Sequence, residues 1–132
     1  MLFLKQMNEH EEDKYVPREW KIFINDEYID YIRREMKLYE GRRYYGNTRN
    51  YKVGDVLLMY SSLKKDECVL LRVTIYGIHL FPTFLHALNE LPLKEILPNV
   101  NNIEDGVKIY HQFVSQETQE KDGVCMIRIK PY

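Results

Sequence analysis

A lysine, a glutamate and an arginine lie close together in one short stretch of this chain, at Lys37, Glu40 and Arg42. In a partly apolar cleft a lysine can act as a base or nucleophile, or hold a phosphate as a cation. A glutamate can transfer protons, and an arginine can clamp a phosphate or carbonyl oxygen. The alternative is that these residues have structural roles. The lysine would then interact favourably with the dipole at a helix end, and the glutamate and arginine would form an ion pair.

The segment around these residues is unusually basic. Seven basic and two acidic residues fall between positions 33 and 52, a net charge of +5, whereas the whole chain carries −1. Tyrosines alternate with the cations along this segment. Single-stranded RNA binding requires cations to hold the phosphates and aromatic rings to stack on the bases. The alternative is a solvated loop with its tyrosines in the core. We predict a ligand-binding surface made of Arg34, Tyr39, Arg42, Arg43, Tyr45, Arg49 and Lys52.

Composition narrows the class of protein. The 132 residues suffice for one domain with its own core, and 45% hydrophobic with 30% charged residues is typical of a folded chain. The two cysteines and four histidines lack metal-binding spacing, so we expect no metal and no other cofactor. We expect buried, reduced cysteines and a cytoplasmic location. The apolar start breaks at Lys5, too early for a signal or membrane-spanning segment.

Capping residues and hydrophobic patterns predict the elements that position these side chains. The predicted strands are 20–24, 38–42, 56–60, 68–78 and 124–130. The predicted helices run from Asn25 or Asp26 to about 36, over 84–89 and 93–97, from Asn102 to about 113, and for one turn after Ser115. A strand over 38–42 would put Glu40 and Arg42 on one face.

The order of these elements predicts an α+β fold. Strands joined by short turns favour a largely antiparallel sheet, closed or curled, with several helices packed around it. We interpret residues 1–18 as a mobile arm or an appended edge element, because they are charged and irregular. Residues 19–132 form the predicted domain.

The stretch Lys37-Leu38-Tyr39-Glu40-Gly41-Arg42 resembles the GxKxxExR pattern of the ASCH domain family, within the PUA-like superfamily. The lysine, glutamate and arginine match, whereas Glu35 replaces the leading glycine. A KVGD turn before an apolar strand, at 52–60, is also similar to the family, as are segments at 81–84, 97–98, 103–110 and 123–129. The resemblance covers about residues 20–132. It implies a PUA-like β-barrel of about five to six mostly antiparallel strands.

The resemblance also implies a cleft lined by the motif and ligands among RNA and modified nucleosides. Ribonuclease-type members implicate a tyrosine before the lysine, the lysine itself, and a serine near the C-terminal helices. The matching candidates here are Tyr31, Lys37 and Ser115, although a helix N-cap is the favoured role for Ser115. Such RNA cleavage needs no metal. Other members hydrolyse N4-acetylcytidine with a threonine nucleophile where this chain has Glu40, and others are interaction or coactivator domains.

These observations predict a domain that binds single-stranded RNA or a modified nucleotide and no membrane. The predicted catalytic candidates, if the domain is an enzyme, are Lys37, Glu40, Tyr31 and Ser115. A metal-independent RNA hydrolase is the first alternative. The acetylcytidine hydrolase is a weaker one, because Glu40 replaces the threonine, and a protein-interaction module is the third.

Overall fold

The computed structural model describes residues 15–64 and 68–132. The strands are β1 (Glu19–Ile24), β2 (Tyr39–Arg43), β3 (Val56–Ser61), β4 (Leu71–Phe81) and β5 (Val124–Pro131). The α-helices are α1 (Asp26–Arg33), α2 (Phe84–Glu90), α3 (Leu93–Ile96), α4 (Ile103–His111) and α5 (Gln116–Asp122). A 3-10 helix, Gly46–Asn50, occupies the predicted loop between β2 and β3.

The five strands form one curled mixed sheet in the order β1-β3-β4-β5-β2. The β1–β3 pair is parallel, and the other three pairs are antiparallel. The strands β1 and β2 therefore form the two edges of a half-barrel. The predicted α+β architecture, a mostly antiparallel curled sheet of five strands with helices packed around it, is confirmed.

The sheet separates two hydrophobic clusters. In the first, Ile29 and Ile32 of α1 pack with inward side chains of β1, β3, β4 and β5. In the second, α2, α3 and α4 pack on β2 and β5 around Phe84, Leu88 and Tyr110. Each such fully buried aliphatic or aromatic side chain contributes about 1.5–3 kcal/mol through its removal from water.

The helix starts follow the capping residues read from the sequence. Asn25 accepts a hydrogen bond from a first-turn backbone N–H of α1 at 3.0 Å, and Thr83, Asn102 and Ser115 do the same for α2, α4 and α5. Gly123 ends α5 with φ of +74°, a conformation that favours glycine. These predicted caps are confirmed.

Two helices end earlier than predicted. The helix α1 ends at Arg33 rather than near 36, because Glu35 adopts φ of +57° and the amides of Met36 and Lys37 bond to the carbonyl of Tyr31. Met36 therefore lies outside the helix and is 44% exposed. The helix α4 ends at His111 rather than near 113, and Phe113 beyond it is 79% exposed.

Other predictions differ in outcome. Cys125 is buried as expected, but Cys68 is exposed, because β4 begins at Leu71 rather than at 68.

Residues 1–14 of the predicted arm and residues 65–67, between β3 and β4, lie outside the described residues. None of the helices in the described ranges has the length and apolar character to cross a membrane.

Candidate functional site

A cavity of about 760 Å³ lies between the two edge strands, β1 and β2. The start of α1 and the end of α4 form other parts of its wall. Its volume falls within the range of about 300–1,000 Å³ that small-molecule sites occupy. Aromatic side chains contribute much of the lining: Phe23, Tyr28, Tyr45, Phe84, Tyr110 and Phe113.

The structure brings Lys37, Glu40 and Arg42 together in this cavity. Lys37 is 2% exposed, and its Nζ donates to the carbonyl of Ile96 and lies 3.5 Å from Glu40 Oε1. The other carboxylate oxygen, Oε2, accepts from Arg42 Nε at 3.0 Å and from Nη2 at 2.9 Å. The turn at Glu35 ends α1 just before Lys37, and strand pairing puts Glu40 and Arg42 on one face.

Arg42 also bridges the opening of the half-barrel. Its Nη2 donates to the carbonyl of Phe23 at 2.8 Å, which joins β2 to β1 through a side chain. The Arg42 side chain is 32% exposed, whereas those of Lys37 and Glu40 are 1% and 10% exposed. Arg42 is therefore the member of this trio that a molecule in the cavity reaches most directly.

The trio carries more positive than negative charge, because two cations share one carboxylate. Burial holds the pKa of Lys37 below its ordinary value of 10.5, and the opposing effect of the Glu40 charge is smaller. The ammonium consequently loses its proton more readily than that of an exposed lysine. Such a site suits the negative or carbonyl oxygens of a ligand and could supply an amine base.

Tyr110 lines the same cavity, and its hydroxyl is buried with no hydrogen-bond partner among the residues that the structure describes. Its ring stacks on Phe84, with centroids 3.9 Å apart and an interplanar angle of 4°. Burial, together with the charge of Glu40, raises the pKa of Tyr110 well above 10.0. A buried polar group without a partner costs about 1–3 kcal/mol, and such groups concentrate at functional sites.

Comparison with known structures finds two relatives of similar length. The crystal structure of the hypothetical protein PH0355 is 34% identical, covering 86% of this chain and 99% of that one with a TM-score of 0.79. The solution structure of protein PF0455 from Pyrococcus furiosus is 32% identical, covering 86% and 96% with a TM-score of 0.71. Neither profiles of known protein families nor curated proteins give a match.

A more distant likeness identifies the fold. The crystal structure of ASCH from Zymomonas mobilis is 13% identical and covers 86% of this chain and 70% of that one, with a TM-score of 0.60. The chain belongs to the family of PH0355 and has the ASCH fold. The ASCH resemblance that the Lys37–Arg42 pattern predicted is therefore confirmed at the level of fold.

Two further predicted ligand-binding residues line the cavity of this ASCH-fold domain, Arg43 and Tyr45. The guanidinium carbon of Arg43 lies 4.0 Å from the centroid of the Tyr45 ring, a cation–π contact. Arg43 Nε also donates to Asp122 Oδ2 at 2.6 Å. Arg43 is thus held in position from α5 while it supports the exposed tyrosine.

Two of the catalytic candidates lie outside the cavity lining. Tyr31 contributes its backbone carbonyl to the turn that orients Lys37, and its ring packs against Tyr28 at 6.4 Å. Ser115 is exposed and caps α5 through Thr118, which is the alternative role that its sequence position suggested. Their predicted catalytic roles have no support from their positions.

The remaining predicted ligand-binding residues also lie outside the cavity lining. Arg34 pairs with Asp30 on the exposed side of α1, with atoms 3.3 Å apart. The Tyr39 ring is buried, and its centroid lies 5.3 Å from the guanidinium carbon of Arg128. Arg49 and Lys52 lie over tyrosine rings, those of Tyr44 and Tyr15 respectively.

Sequence reasoning missed the residues that give the cavity its aromatic walls. Tyr28 lies on α1 and Tyr110 on α4, and Phe113 follows the last turn of α4. Phe23 is an outward residue of β1, 52% exposed at the cavity mouth. No sequence pattern links these positions, because they converge from β1, from α1 and from the end of α4.

Proposed function

We propose that this protein binds a nucleotide, as a modified nucleotide or as part of single-stranded RNA, in the cavity between β1 and β2. The observation that carries the proposal is the trio Lys37, Glu40 and Arg42 in a cavity walled by aromatic rings. Rings stack on a base, while the two cations suit phosphate or carbonyl oxygens. The cavity volume of about 760 Å³ accommodates one nucleotide.

Each member of the trio has a distinct part in this proposal. Arg42 contacts the ligand, because it is the most exposed of the three. Glu40 holds both cations in position through its two oxygens. Lys37 supplies buried positive charge, and the Tyr110 hydroxyl offers a hydrogen bond that no described protein group accepts.

The cytoplasmic location of the protein stays a prediction.

Binding of the four 5′-mononucleotides and of single-stranded RNA, measured by calorimetry, tests the proposal. Arg42→Gln should weaken binding by about tenfold or more, because it removes a hydrogen bond from a charged donor. Arg72→Gln is the matched control, since Arg72 forms a surface pair with Glu19 at 2.9 Å and does not line the cavity. Affinity should also fall with added salt.

The proposal is wrong if the folded parent binds none of these nucleic acids, or if the two arginine variants bind equally well. A salt-independent association with another protein would favour an interaction module instead. Circular dichroism of each variant separates loss of binding from loss of fold.

The lowered pKa of Lys37 favours a second candidate function, a metal-independent RNA hydrolase. Lys37 Nζ would take the proton of a ribose 2′-hydroxyl, whose oxygen would attack the neighbouring phosphorus and displace the 5′-oxygen of the next nucleotide, which takes up a proton from water. Arg42 would stabilise the negative charge that develops on the non-bridging phosphate oxygens. Cleavage of RNA in EDTA by the parent, and its loss in a folded Lys37→Met variant, would support this function. N4-acetylcytidine belongs in the same assay, although Glu40 occupies the position of the threonine nucleophile in those hydrolases.

A further inference from the structure

Lys37 places a primary amine in the lining of a cavity with aromatic walls, a position that lysine rarely takes. Its side chain is 1% exposed. Other lysines lie on the surface of the molecule, among them Lys52, Lys94, Lys108, Lys121 and Lys130. Burial lowers the pKa of Lys37, so a larger fraction of this side chain is free amine. The free amine is the form that attacks a carbonyl carbon.

The neighbours of Lys37 supply the proton transfers that such an attack requires. Glu40 Oε1 lies 3.5 Å from Nζ, and Arg42 occupies the other carboxylate oxygen, so Oε1 is the one that can take a proton from the lysine and return it. Nζ also donates to the carbonyl of Ile96. A neutral amine keeps an N–H for this carbonyl, and its lone pair is then available to a ligand.

Arg42 favours a ligand that carries an anionic group as well as a carbonyl. Within the described part of the chain, its hydrogen bonds run from Nε and Nη2 to Glu40 and Phe23, which leaves Nη1 for an oxygen of a ligand. The guanidinium matches phosphate and carboxylate groups. The Tyr110 hydroxyl lines the same cavity, where it can donate to a carbonyl oxygen.

We propose that Lys37 captures aldehydes or ketones that carry a phosphate or carboxylate, through a reversible imine. Glu40 takes one proton from the Lys37 ammonium. The Nζ lone pair then bonds to the carbonyl carbon, while a second N–H proton moves to the carbonyl oxygen. Glu40 returns its proton to the resulting hydroxyl, which leaves as water when the C=N bond forms. The product is a protonated imine, and the step consumes no oxidant or reductant. This activity goes beyond the proposed nucleotide site and does not depend on it.

Trapping of the imine in the parent protein tests the proposal. Pyridoxal 5′-phosphate serves as the phosphorylated aldehyde, and pyridoxal is the same aldehyde without the phosphate. Sodium borohydride delivers hydride to the C=N bond and leaves a stable secondary amine, which peptide mass spectrometry locates. Near neutral pH, pyridoxal 5′-phosphate should label Lys37 at least about tenfold more than each exposed lysine, because a lysine of ordinary pKa is almost wholly protonated there. Pyridoxal should label Lys37 about tenfold less than the phosphorylated aldehyde, because it lacks the group that Arg42 holds.

Two variants separate the amine from the charge. Lys37→Arg keeps a cation but has no primary amine, so the selective label should disappear. Lys130→Arg is the matched control, because Lys130 is an exposed lysine of β5 outside the cavity lining, and its loss should leave the label on Lys37 unchanged. Circular dichroism checks that both variants are folded.

Mapping of the label in the folded parent decides the proposal even if a variant does not fold. A Lys37 that carries no more label than the exposed lysines would overturn the imine. Equal labelling of Lys37 by the two aldehydes would overturn the assigned class of ligand. Calorimetry with AMP tests the nucleotide site separately, so AMP that binds while Lys37 stays unlabelled would refute this inference and leave the proposed function standing.

Discussion

Glu40 determines the charge arrangement of the cavity. It lies three residues after Lys37 and two before Arg42, so the turn and the strand bring both cations to its carboxylate. Without the Glu40 carboxylate, each cation would lose the negative charge that offsets the cost of its burial. The K-x-x-E-x-R spacing therefore puts the lysine in the turn after α1 and the other two residues on β2, where both cations reach one carboxylate. Arg42 is the most exposed member of the trio.

At the same scale, Gly41 and the Tyr110 hydroxyl depend on each other. A Cβ at position 41 would lie 2.7 Å from Tyr110 Oη and 3.0 Å from Met126 Cε. Gly41→Ala should therefore lower the free energy of unfolding by about 1–3 kcal/mol. Tyr110→Phe should raise it by about 1 kcal/mol, because it removes a buried hydroxyl without a partner. Urea unfolding of both variants measures these changes.

The double variant Gly41→Ala/Tyr110→Phe supplies the control. It should be more stable than the sum of the two single changes predicts, because the hydroxyl that the new methyl would meet is gone. Strict additivity would mean that the new methyl group does not meet the hydroxyl. A Tyr110→Phe variant that is markedly less stable than the parent would mean that the hydroxyl makes a favourable interaction in the folded protein.

At the scale of elements, Asp55 ties the entry of β1 to the turn before β3. Its carboxylate accepts from the Trp20 indole at 2.9 Å, from the Arg18 and Lys52 amides at 3.0 Å, and from the Tyr15 hydroxyl. The KVGD element therefore has a structural function here. The parallel β1–β3 pairing begins beside this carboxylate, with Glu19 opposite Val56.

Asp55→Asn should lower the free energy of unfolding by about 2 kcal/mol or more at pH 7, because an amide cannot accept all of these donors. Burial raises the pKa of Asp55, but the hydrogen bonds from Tyr15, Trp20 and the two amides together hold it below 3.8. The contribution is therefore fully present above the unfolded pKa and is lost as pH falls through the folded pKa. Urea unfolding of parent and variant between pH 7 and pH 2 should show the difference shrinking in acid. A constant difference would contradict this role.

At the scale of the whole molecule, β5 joins the two hydrophobic clusters. Its alternating side chains point to opposite faces, Cys125 and Ile127 into the cluster under α1, and Val124 and Met126 into the cluster under α2 to α4. Because both faces of β5 are covered, its buried side chains reach solvent only when the sheet opens.

The two thiols report this opening. Cys68 is exposed, whereas burial raises the pKa of the Cys125 thiol to about 12. In native protein at pH 8, a thiol reagent such as DTNB should modify Cys68 rapidly and Cys125 only at the rate of unfolding, because the thiolate is the reactive form. The variant Cys68→Ser isolates the slow reaction, and urea should accelerate it. Rapid modification of Cys125 in the folded Cys68→Ser variant would mean that β5 is accessible without opening of the sheet.

The sequence by itself determined the helix starts, most of the strands and the trio at Lys37, Glu40 and Arg42. These features are local: a cap contacts an amide two or three residues away, and residues two apart on a strand share a face. Local pattern did not predict the early end of α1 at Arg33, because the positive φ of Glu35 belongs to the turn that carries Lys37 inward.

Only the tertiary structure decided which side chains surround that trio. Phe23 is far from Tyr110 and Phe113 along the chain, and they meet because β1 and β2 are the open edges of one curled sheet with α4 beside them. The same geometry leaves Tyr31 and Ser115 outside the cavity lining. Charge spacing could identify the centre of the site, but its walls depend on the non-local packing of the sheet.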